Sequence, residues 1–286
     1  MNPIHPDAIT VVIVTYNSAH CLSALAEGLR DMKHVVVVDN ASDDDLAAQL
    51  PLALPQAVLL KNQTNQGFGA ANNRALATVT TPFALLLNPD CLPTIKFLDG
   101  LRRAAANFPD AAILAPHLIR RNGTPEVSYR WPATHWASRG AAASGPCCVG
   151  FVCGAVMLLN MAVMARVGFF DETFFLYYED EDLCQRVFLA SEQMVLLPEL
   201  EITHLSRGSV KGPNPLKSEF IRGYHHAQSK LVFERKYFGL AHARRLRYKT
   251  LGLAVLTLVP RLLLPQPRYL ARLTGRIVGL CRSGPG

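Results

Sequence analysis

Four consecutive carboxylates form the segment of this sequence with the clearest chemical potential. Glu179, Asp180, Glu181 and Asp182 follow a largely aromatic block, 174–178, and open a segment with helical spacing. Carboxylates clustered beside apolar side chains have perturbed proton affinities and are a typical source of a general base. Acidic residues at a helix N-terminus are also stabilised by the helix macrodipole, so this segment alone leaves both interpretations open.

A second carboxylate motif lies far upstream, at the end of an apolar segment. Three leucines, 85–87, are followed by Asn88, Pro89 and Asp90. A carboxylate is a hard oxygen ligand that suits Mg²⁺ or Mn²⁺, and these ions bind nucleotide phosphates with only one or two carboxylates. The motif therefore predicts a divalent-metal site at Asp90, where Asn88 could add a carbonyl ligand or orient a sugar.

The elements that must position these residues alternate between strand and helix. Short apolar strands are predicted at 8–15, 35–38, 57–60 and 83–87, with helical segments between them. Such a pattern is typical of an α/β fold whose mainly parallel sheet is covered by helices on both faces. Ligands of these sheets bind at the carboxyl ends of the strands. Polar clusters at 15–17, 39–40 and 88–90 are expected to meet there.

Two of the polar segments suit a nucleotide. Asp39 could accept a hydrogen bond from the N3–H of a pyrimidine base, although an Asx turn that closes the strand is the alternative. The segment 65–74 offers glycines for close backbone approach, amides and the cation of Arg74. It matches neither a dinucleotide fingerprint nor a P-loop, and a simple entry from loop to helix is the alternative.

Five motifs in order resemble the family-2 inverting glycosyltransferases of GT-A fold, and most of all their bacterial rhamnosyltransferase-like branch. They are VTYNS at 14–18, VDNAS at 38–42, NQGF at 65–68, LNPD at 87–90, and the segment 168–183. The resemblance spans about residues 8–240. We expect a glycosyltransferase domain over 1–240, with a nucleotide-sugar half (1–118) and an acceptor half (119–240), and a basic helical tail over 241–286.

The resemblance implies roles for individual residues. Asp90 stands where many relatives have Asp-x-Asp, which implies that it holds Mg²⁺ or Mn²⁺. His204 matches a histidine near the metal or diphosphate, with a satisfied structural histidine as the alternative. The acidic segment implies the catalytic base, for which we favour Asp180 over Glu179. The implied nucleotide-binding residues are Thr15, Tyr16, Asn17, Asp39, Asn40, Gly67, Asn73, Arg74 and Asn88.

The acceptor is expected to face an irregular segment, 120–145. Trp131 and Trp136 could stack on a sugar there, or could equally anchor a loop to the core. We also assign Asp182 to the acceptor side.

The implied reaction is a single displacement. A base removes the proton of an acceptor hydroxyl while the oxygen attacks the anomeric carbon opposite the diphosphate, and the configuration inverts. The leading donor is dTDP-rhamnose, with a UDP-sugar such as UDP-galactofuranose or UDP-N-acetylglucosamine as the alternative. The expected acceptor is a glycan or lipid-linked glycan of the bacterial cell surface.

Two other classes of protein are weighed against this one. A nucleotidyltransferase normally begins with a glycine-rich, basic phosphate loop, which residues 14–20 lack. A non-catalytic nucleotide-binding protein would not need Asp180, and only an activity measurement separates it from an enzyme.

The net charge of +7 is unevenly distributed. From Arg235 to the end there are 11 Lys and Arg and no Asp or Glu, whereas the preceding 234 residues carry 18 basic and 22 acidic side chains. This asymmetry predicts an anionic surface as the partner of the tail. No nucleic-acid-binding module accompanies the basic residues, so we expect no nucleic-acid partner. Seven cysteines without CxxC spacing, and a start without a secretion signal, predict a cytoplasmic protein.

The tail itself predicts contact with a membrane surface. Its uncharged run, 250–260, would be about 16 Å long as a helix, which is too short for a hydrocarbon core of roughly 30 Å. Further on, Leu270, Leu273, Ile277 and Leu280 fall on one helical face and Arg268, Arg272 and Arg276 on the other. This pattern favours a peripheral helix on the inner face of the cell membrane. Packing on its own domain, or on a second subunit in a homodimer, is the alternative.

Overall fold

The computed structural model describes residues 4–126, 128–131, 143–206, 208, 214–263 and 266–282. Trp136, predicted on the acceptor side, lies outside the described residues. The chain forms two compact units. The sheet unit comprises Met1–Phe170 and Asp180–Lys211, and the helical unit comprises Asp171–Glu179 and Gly212–Gly286.

The elements of the sheet unit alternate as the sequence predicts. Its strands are β1 (Ile9–Thr15), β2 (His34–Asp39), β3 (Ala57–Lys61), β4 (Phe83–Leu87), β5 (Cys91–Leu92), β6 (Ile113–Ile119), β7 (Tyr129–Arg130), β8 (Cys147–Cys148), β9 (Phe151–Val152), β10 (Val156–Asn160) and β11 (Met194–His204). Its helices are α1 (Leu22–Leu29), α2 (Leu46–Ala53), α3 (Phe68–Leu76), α4 (Ile95–Asn107), α5 (Met161–Val167) and α6 (Glu179–Leu189, which begins at the last residue of the helical unit's first segment).

The strands form one mixed sheet in the order β3-β2-β1-β4-β10-β6-β11-β5, with β8 beside β11, and β7 and β9 pair separately. The first four strands are parallel, as predicted. The sheet is not parallel throughout, because β10 runs antiparallel to both β4 and β6. In the parallel part Thr15 pairs with Asp39, so the carboxyl ends of β1 and β2 meet at one edge. The α/β class is therefore confirmed.

Both faces of the sheet are covered by helices. Val11 and Ile13 of β1 pack on the side of α1, α2 and α4, whereas Val12 packs on the side of α3, α5 and α6. Each strand can be apolar along its whole length because neither face meets water. The core thus holds the strand ends rigidly, and the polar loops after them form the carboxyl edge.

The predicted halves of the glycosyltransferase domain share this sheet. The boundary between residues 118 and 119 falls within β6, which pairs with β11 over most of its length. The predicted tail, 241–286, does not form a compact unit by itself. It shares the helical unit with α7 (Pro215–Phe238) and contains most of α8 (Leu240–Leu263) and all of α9 (Pro267–Arg282).

Helices α7 and α9 approach each other closely through glycines. A Cβ atom on Gly275 would lie 2.0 Å from the carbonyl oxygen of Phe220, and one on Gly223 would lie 2.1 Å from that of Arg272. Leu280 is buried in a cluster with Ala227 and Leu231 of α7. The prediction that the apolar face of α9 lies on a membrane is therefore wrong, because that face packs against its own chain. None of the described helices is long and apolar enough to span a bilayer.

We expect Gly275→Ala to destabilise the helical unit. The added methyl group overlaps the Phe220 carbonyl, and overpacking of this kind costs about 1–3 kcal/mol. Gly252→Ala in α8 is the matched control, because its methyl group would meet no atom within 4 Å, and helix propensity favours alanine there by about 1 kcal/mol. Urea unfolding followed by circular dichroism measures both changes. Equal effects of the two substitutions would contradict the close packing.

Candidate active site

Asn40 organises the loop at the carboxyl edge. Its Nδ2 donates to Asn65 Oδ1 at 2.9 Å and to the Gly67 carbonyl at 3.1 Å, and its Oδ1 accepts from Asn62 Nδ2 and the Gln66 amide. A side-chain amide has two donor hydrogens and two acceptor lone pairs, so this capacity is filled. Asn40, predicted to bind the nucleotide, instead shapes the loop that leads into α3.

The first two polar clusters are joined by hydrogen bonds. Thr15 is fully buried and its hydroxyl donates to the Val38 carbonyl at 3.0 Å, so this hydroxyl joins two strands and is not presented to a ligand. Asn17 has a left-handed backbone (φ 54°), and its Oδ1 accepts from the Asp43 amide. Asp39 Oδ1 accepts from the Ser42 amide at 2.9 Å. The Asx-type turn is thus present, and within the described residues Asp39 Oδ2 accepts no hydrogen bond. Tyr16 continues this cluster, and its amide donates to the Ser18 hydroxyl.

Gly67, the glycine of the third motif, caps the N-terminus of helix α3. Gly67 has φ 87°, a conformation that disfavours side chains, and its amide donates to Asn65 Oδ1. Asn73 is engaged by both backbone groups of Phe170, at 2.9 and 3.0 Å. Arg74 is exposed and donates to the Lys61 carbonyl and to Asn62 Oδ1. Of these predicted nucleotide ligands, Arg74 is the one that presents a charge to solvent.

A buried carboxylate–histidine pair follows β4. Asp90 is 2% exposed, and its Oδ1 lies 3.6 Å from His204 Nε2 at the end of β11. Its Oδ2 accepts from the Gly208 amide at 2.9 Å. The other ring nitrogen of His204, Nδ1, lies 2.9 Å from Glu126 Oε2, and the Ser206 hydroxyl donates to the same carboxylate. The two residues assigned to the metal are therefore brought together, although 114 positions separate them.

Asp90 and His204 each stabilise the charged form of the other. Burial raises the pKa of Asp90, but its ionic contact with His204 and the hydrogen bond from the Gly208 amide outweigh burial, and the net shift is downward. Burial lowers the pKa of His204, but Asp90 and Glu126 outweigh it, and the net shift is upward. A metal ion that binds His204 would therefore compete with a proton for the ring nitrogen.

The residues present fit a divalent ion. The ligand atoms of Asp90, Cys91 and His204 lie within 4.8 Å of one another in the described part of the chain. The 3.6 Å separation of the Asp90 and His204 atoms is shorter than twice a typical metal–ligand distance of about 2.1 Å. Burial raises the pKa of Cys91 well above its usual value, so the thiol stays protonated and is a poor ligand. The carboxylate suits Mg²⁺ or Mn²⁺, whereas imidazole is a more usual ligand of transition-metal ions than of Mg²⁺.

Asp180 lies beside the same edge. Its Oδ2 accepts from the Gly154 amide at 3.0 Å, and its Oδ1 accepts from the Glu181 amide. Gly154 also lies near Phe68, at the start of α3, and a Cβ atom there would lie 3.2 Å from the Cβ of Asp180. The next residue, Ala155, accepts a hydrogen bond from the Asn88 amide. The partly exposed carboxylate of Asp180 is therefore fixed next to the motif that carries Asp90.

Two residues assigned to the acceptor side have structural surroundings. Asp182 is fully buried and bonds Arg186 at 2.9 Å, and Arg186 also donates to the carbonyls of Val167, Gly168 and Phe169. Asp182 therefore cannot meet an acceptor, and this assignment is wrong. Trp131 is partly buried and packs edge-on against Tyr129, at 5.6 Å between ring centroids. This packing favours its alternative role as an anchor.

The sequence gives no local sign of two further residues of the site. Glu126 follows a turn after β6 and holds His204 across 78 positions. Gly154 holds Asp180 from the loop between β9 and β10. The parallel pairing of β6 with β11 brings the polar loop after β6 toward the end of β11, and only that pairing would have identified Glu126.

The profile of the family described as "Glycosyl transferase family 2" matches residues 10–168, which is more than half of the chain. The chain belongs to this family. It is a glycosyltransferase, and the predicted resemblance to the rhamnosyltransferase-like branch of the family is confirmed.

Curated relatives and a solved structure agree with the family. The chain is 27% identical over 235 residues to an N-acetylglucosaminyl-diphospho-decaprenol L-rhamnosyltransferase of Mycobacterium tuberculosis, covering 69% of this chain and 76% of that protein. It is 24% identical over 219 residues to the rhamnosyltransferase WbbL of Escherichia coli, covering 68% and 83%. The mannosyltransferase PcManGT of Pyrobaculum calidifontis, solved with GDP-Man and Mn²⁺, superposes with a TM-score of 0.58 at 17% identity, covering 99% and 89%. The fold is thus GT-A-like, with a helical C-terminal region.

We expect Asn40→Ala to lower the free energy of unfolding by about 2 kcal/mol, because it removes four hydrogen bonds from partly buried groups of the loop and from the buried Gly67 carbonyl. Asn88→Ala is the control at the same edge. The Asn88 side chain makes no hydrogen bond within the described residues, so its loss should change stability by less than about 0.5 kcal/mol. Chemical unfolding of both variants tests the assignment, and an Asn40→Ala variant as stable as the wild type would refute it.

Proposed function

We propose that this glycosyltransferase moves rhamnose from dTDP-rhamnose to a hydroxyl of a lipid-linked glycan, with inversion at the anomeric carbon. The observation that carries the proposal is that one sheet edge holds two separate polar groups. One is the carboxylate of Asp180, and the other is the carboxylate–histidine pair of Asp90 and His204. A base and a diphosphate-binding group must be distinct for a single displacement. The names of the relatives from M. tuberculosis and E. coli support rhamnose as the sugar and, for the former, a lipid diphosphate as the acceptor.

Asp90 and His204 are the residues that would hold Mg²⁺ or Mn²⁺. Glu126 would position His204 by fixing its second ring nitrogen, as carboxylates do for metal-bound histidines. The bound ion would supply positive charge to the diphosphate of the leaving nucleotide. The Mn²⁺ in the PcManGT structure supports a divalent ion as the cofactor.

The nucleoside would lie over the ends of β1 and β2. Asp39 has one carboxylate oxygen available for a pyrimidine N3–H, and Asn17 and Tyr16 border it. The exposed Arg74, in the last turn of α3, offers a cation for phosphate. Asn88 would contact the sugar or the ion.

Asp180 is proposed as the catalytic base, and Glu179 is the alternative candidate for this role. The amide of Gly154 fixes Asp180 Oδ2, and this hydrogen bond holds the carboxylate in one orientation. Glu179 is 6% exposed, which makes it less accessible to an acceptor hydroxyl.

We also propose that the protein works at the inner face of the cell membrane. The surface involved would be on α8 rather than α9. Leu253, Val255, Leu256 and Leu262 of α8 are each more than half exposed, and Arg245 and Arg261 lie on the same helix. Apolar side chains flanked by cations suit the headgroup region of an anionic bilayer.

Nucleotide binding tests the donor site. We expect dTDP to bind more tightly than UDP or GDP in calorimetry, and only with Mn²⁺ or Mg²⁺. Asp90→Asn should abolish the metal-dependent binding of dTDP. Glu126→Gln should weaken metal binding by about 10–100-fold. The exposed Asp110 serves as the control, since Asp110→Asn should change nothing. A preference for UDP would contradict dTDP-rhamnose and favour a UDP-sugar as the donor. Unchanged metal-dependent binding in Asp90→Asn would show that Asp90 does not hold the metal ion.

Single-turnover kinetics test the base. We expect Asp180→Asn to slow transfer by about 100-fold or more while nucleotide affinity stays the same, because general-base catalysis contributes about 10²–10⁴-fold. Glu181→Gln is the control from the same acidic run, and its carboxylate is paired with Arg130 at 3.5 Å. A full loss in Glu179→Gln with an active Asp180→Asn would transfer the base role to Glu179.

A further inference from the structure

The helical unit contains a cavity of about 670 Å³. Its walls come from the segment around Thr173 and Phe175, from α7, and from the first third of α8. This volume is in the range of about 300–1,000 Å³ that is usual for sites that bind small molecules. None of the residues discussed above for the donor, the metal or the base lines it.

One part of the cavity wall is strongly basic. Arg235 of α7 and Arg244 and Arg247 of α8 line it, and no acidic residue does. In the described part of the chain, none of the three guanidinium groups forms an ion pair with a carboxylate. Arg247 Nη2 donates to the Cys281 carbonyl at 3.1 Å, but its Nε is buried without a hydrogen-bond partner there. Three like charges around one space repel each other, and an anion would relieve this repulsion.

A second part of the wall is apolar, and the polar Thr173, His225, Gln228, Ser229 and Tyr248 complete the lining. Phe175, Leu231, Val232 and Leu240 line it together with the small Ala243. The ring of Phe175 is held in place by stacking on His225, at 4.4 Å between centroids. A small inorganic anion would leave this apolar surface in contact with water, and a neutral lipid would leave three arginines without an anion. The chemistry of the wall fits a molecule that has both parts.

We propose that this cavity binds the lipid carrier of the acceptor at the junction between its phosphate or diphosphate group and its hydrocarbon chain. One guanidinium group can donate two parallel hydrogen bonds to two oxygens of a phosphate. The apolar wall would cover the first carbons of the hydrocarbon chain. The description of this lipid as the acceptor rests on the proposed function, whereas the binding site rests on the cavity itself.

The course of α8 supports the lipid as the occupant. The helix lines the cavity with residues up to Tyr248 and then carries its exposed apolar side chains from Leu253 to Leu262. At 100° per residue, Val255 and Leu262 fall on the helical face that lines the cavity, so a hydrocarbon chain that leaves the cavity along this face would pass exposed apolar side chains.

Calorimetry with the full chain and farnesyl diphosphate tests the proposal directly. The double variant Arg235→Ala/Arg244→Ala should bind this probe at least about tenfold more weakly, because it removes two of the three guanidinium groups that would contact the diphosphate. The matched control is Arg268→Ala/Arg282→Ala, which removes the same charge from exposed positions of the same unit that do not line the cavity. It should bind like the wild type.

Two further probes separate the possible ligands. Inorganic diphosphate and farnesol should each bind at least about tenfold more weakly than farnesyl diphosphate, since each meets only one part of the wall. No binding of farnesyl diphosphate by the wild type, or equal weakening in the two double variants, would overturn the proposal. Inorganic diphosphate that binds as tightly would overturn the lipid assignment and leave a simple anion site.

Binding of dTDP with Mn²⁺, measured on the same preparations, keeps this test separate from the proposed function. Retained nucleotide binding without binding of farnesyl diphosphate would refute the lipid site alone. Lipid binding without nucleotide binding would refute the donor site alone.

Discussion

The burial of Asp90 is the constraint on which the site depends. A carboxylate that is 2% exposed is stable only if charge and hydrogen bonds replace its hydration. His204 and the Gly208 amide provide both, and they can do so only if the end of β11 lies against β5, where His204 pairs with Cys91. The same requirement fixes Glu126 on the far side of the histidine. One buried charge thus holds together segments that lie far apart in the chain.

The loops of the carboxyl edge follow the same physical rule. Asn40 fills its hydrogen-bonding capacity with the loop before α3, and Asp180 accepts from the Gly154 backbone. These polar groups form at the ends of apolar strands, where the core prevents the backbone from moving. The rigid sheet and the satisfied polar groups together leave a few side chains, among them Asp39, Arg74 and Asp180, with capacity for a ligand.

The accuracy of the sequence-based predictions depends on how local their physical cause is. The parallel strands, the polar clusters after them and the family motifs were predicted correctly, because apolar periodicity and motif spacing are local. Asp182 was assigned to the acceptor side because an acidic run gives no sign of which member faces the core. In the structure Asp182 is buried against Arg186. The apolar face of α9 was assigned to a membrane because the sequence does not reveal that Gly223 and Gly275 allow α7 to cover it.

The sequence by itself determined the α/β class through its apolar periodicity and the family through the resemblance of its motifs, and it indicated Asp90 and Asp180 as candidate site residues. Only the tertiary structure decided which polar residues stay available to a ligand and which are used up inside the fold. Glu126, Gly154 and the arginine-lined cavity of the helical unit also emerged only there. The physical reason is that hydrogen bonding and charge pairing between distant segments depend on the alignment of strands and helices, which no local pattern encodes.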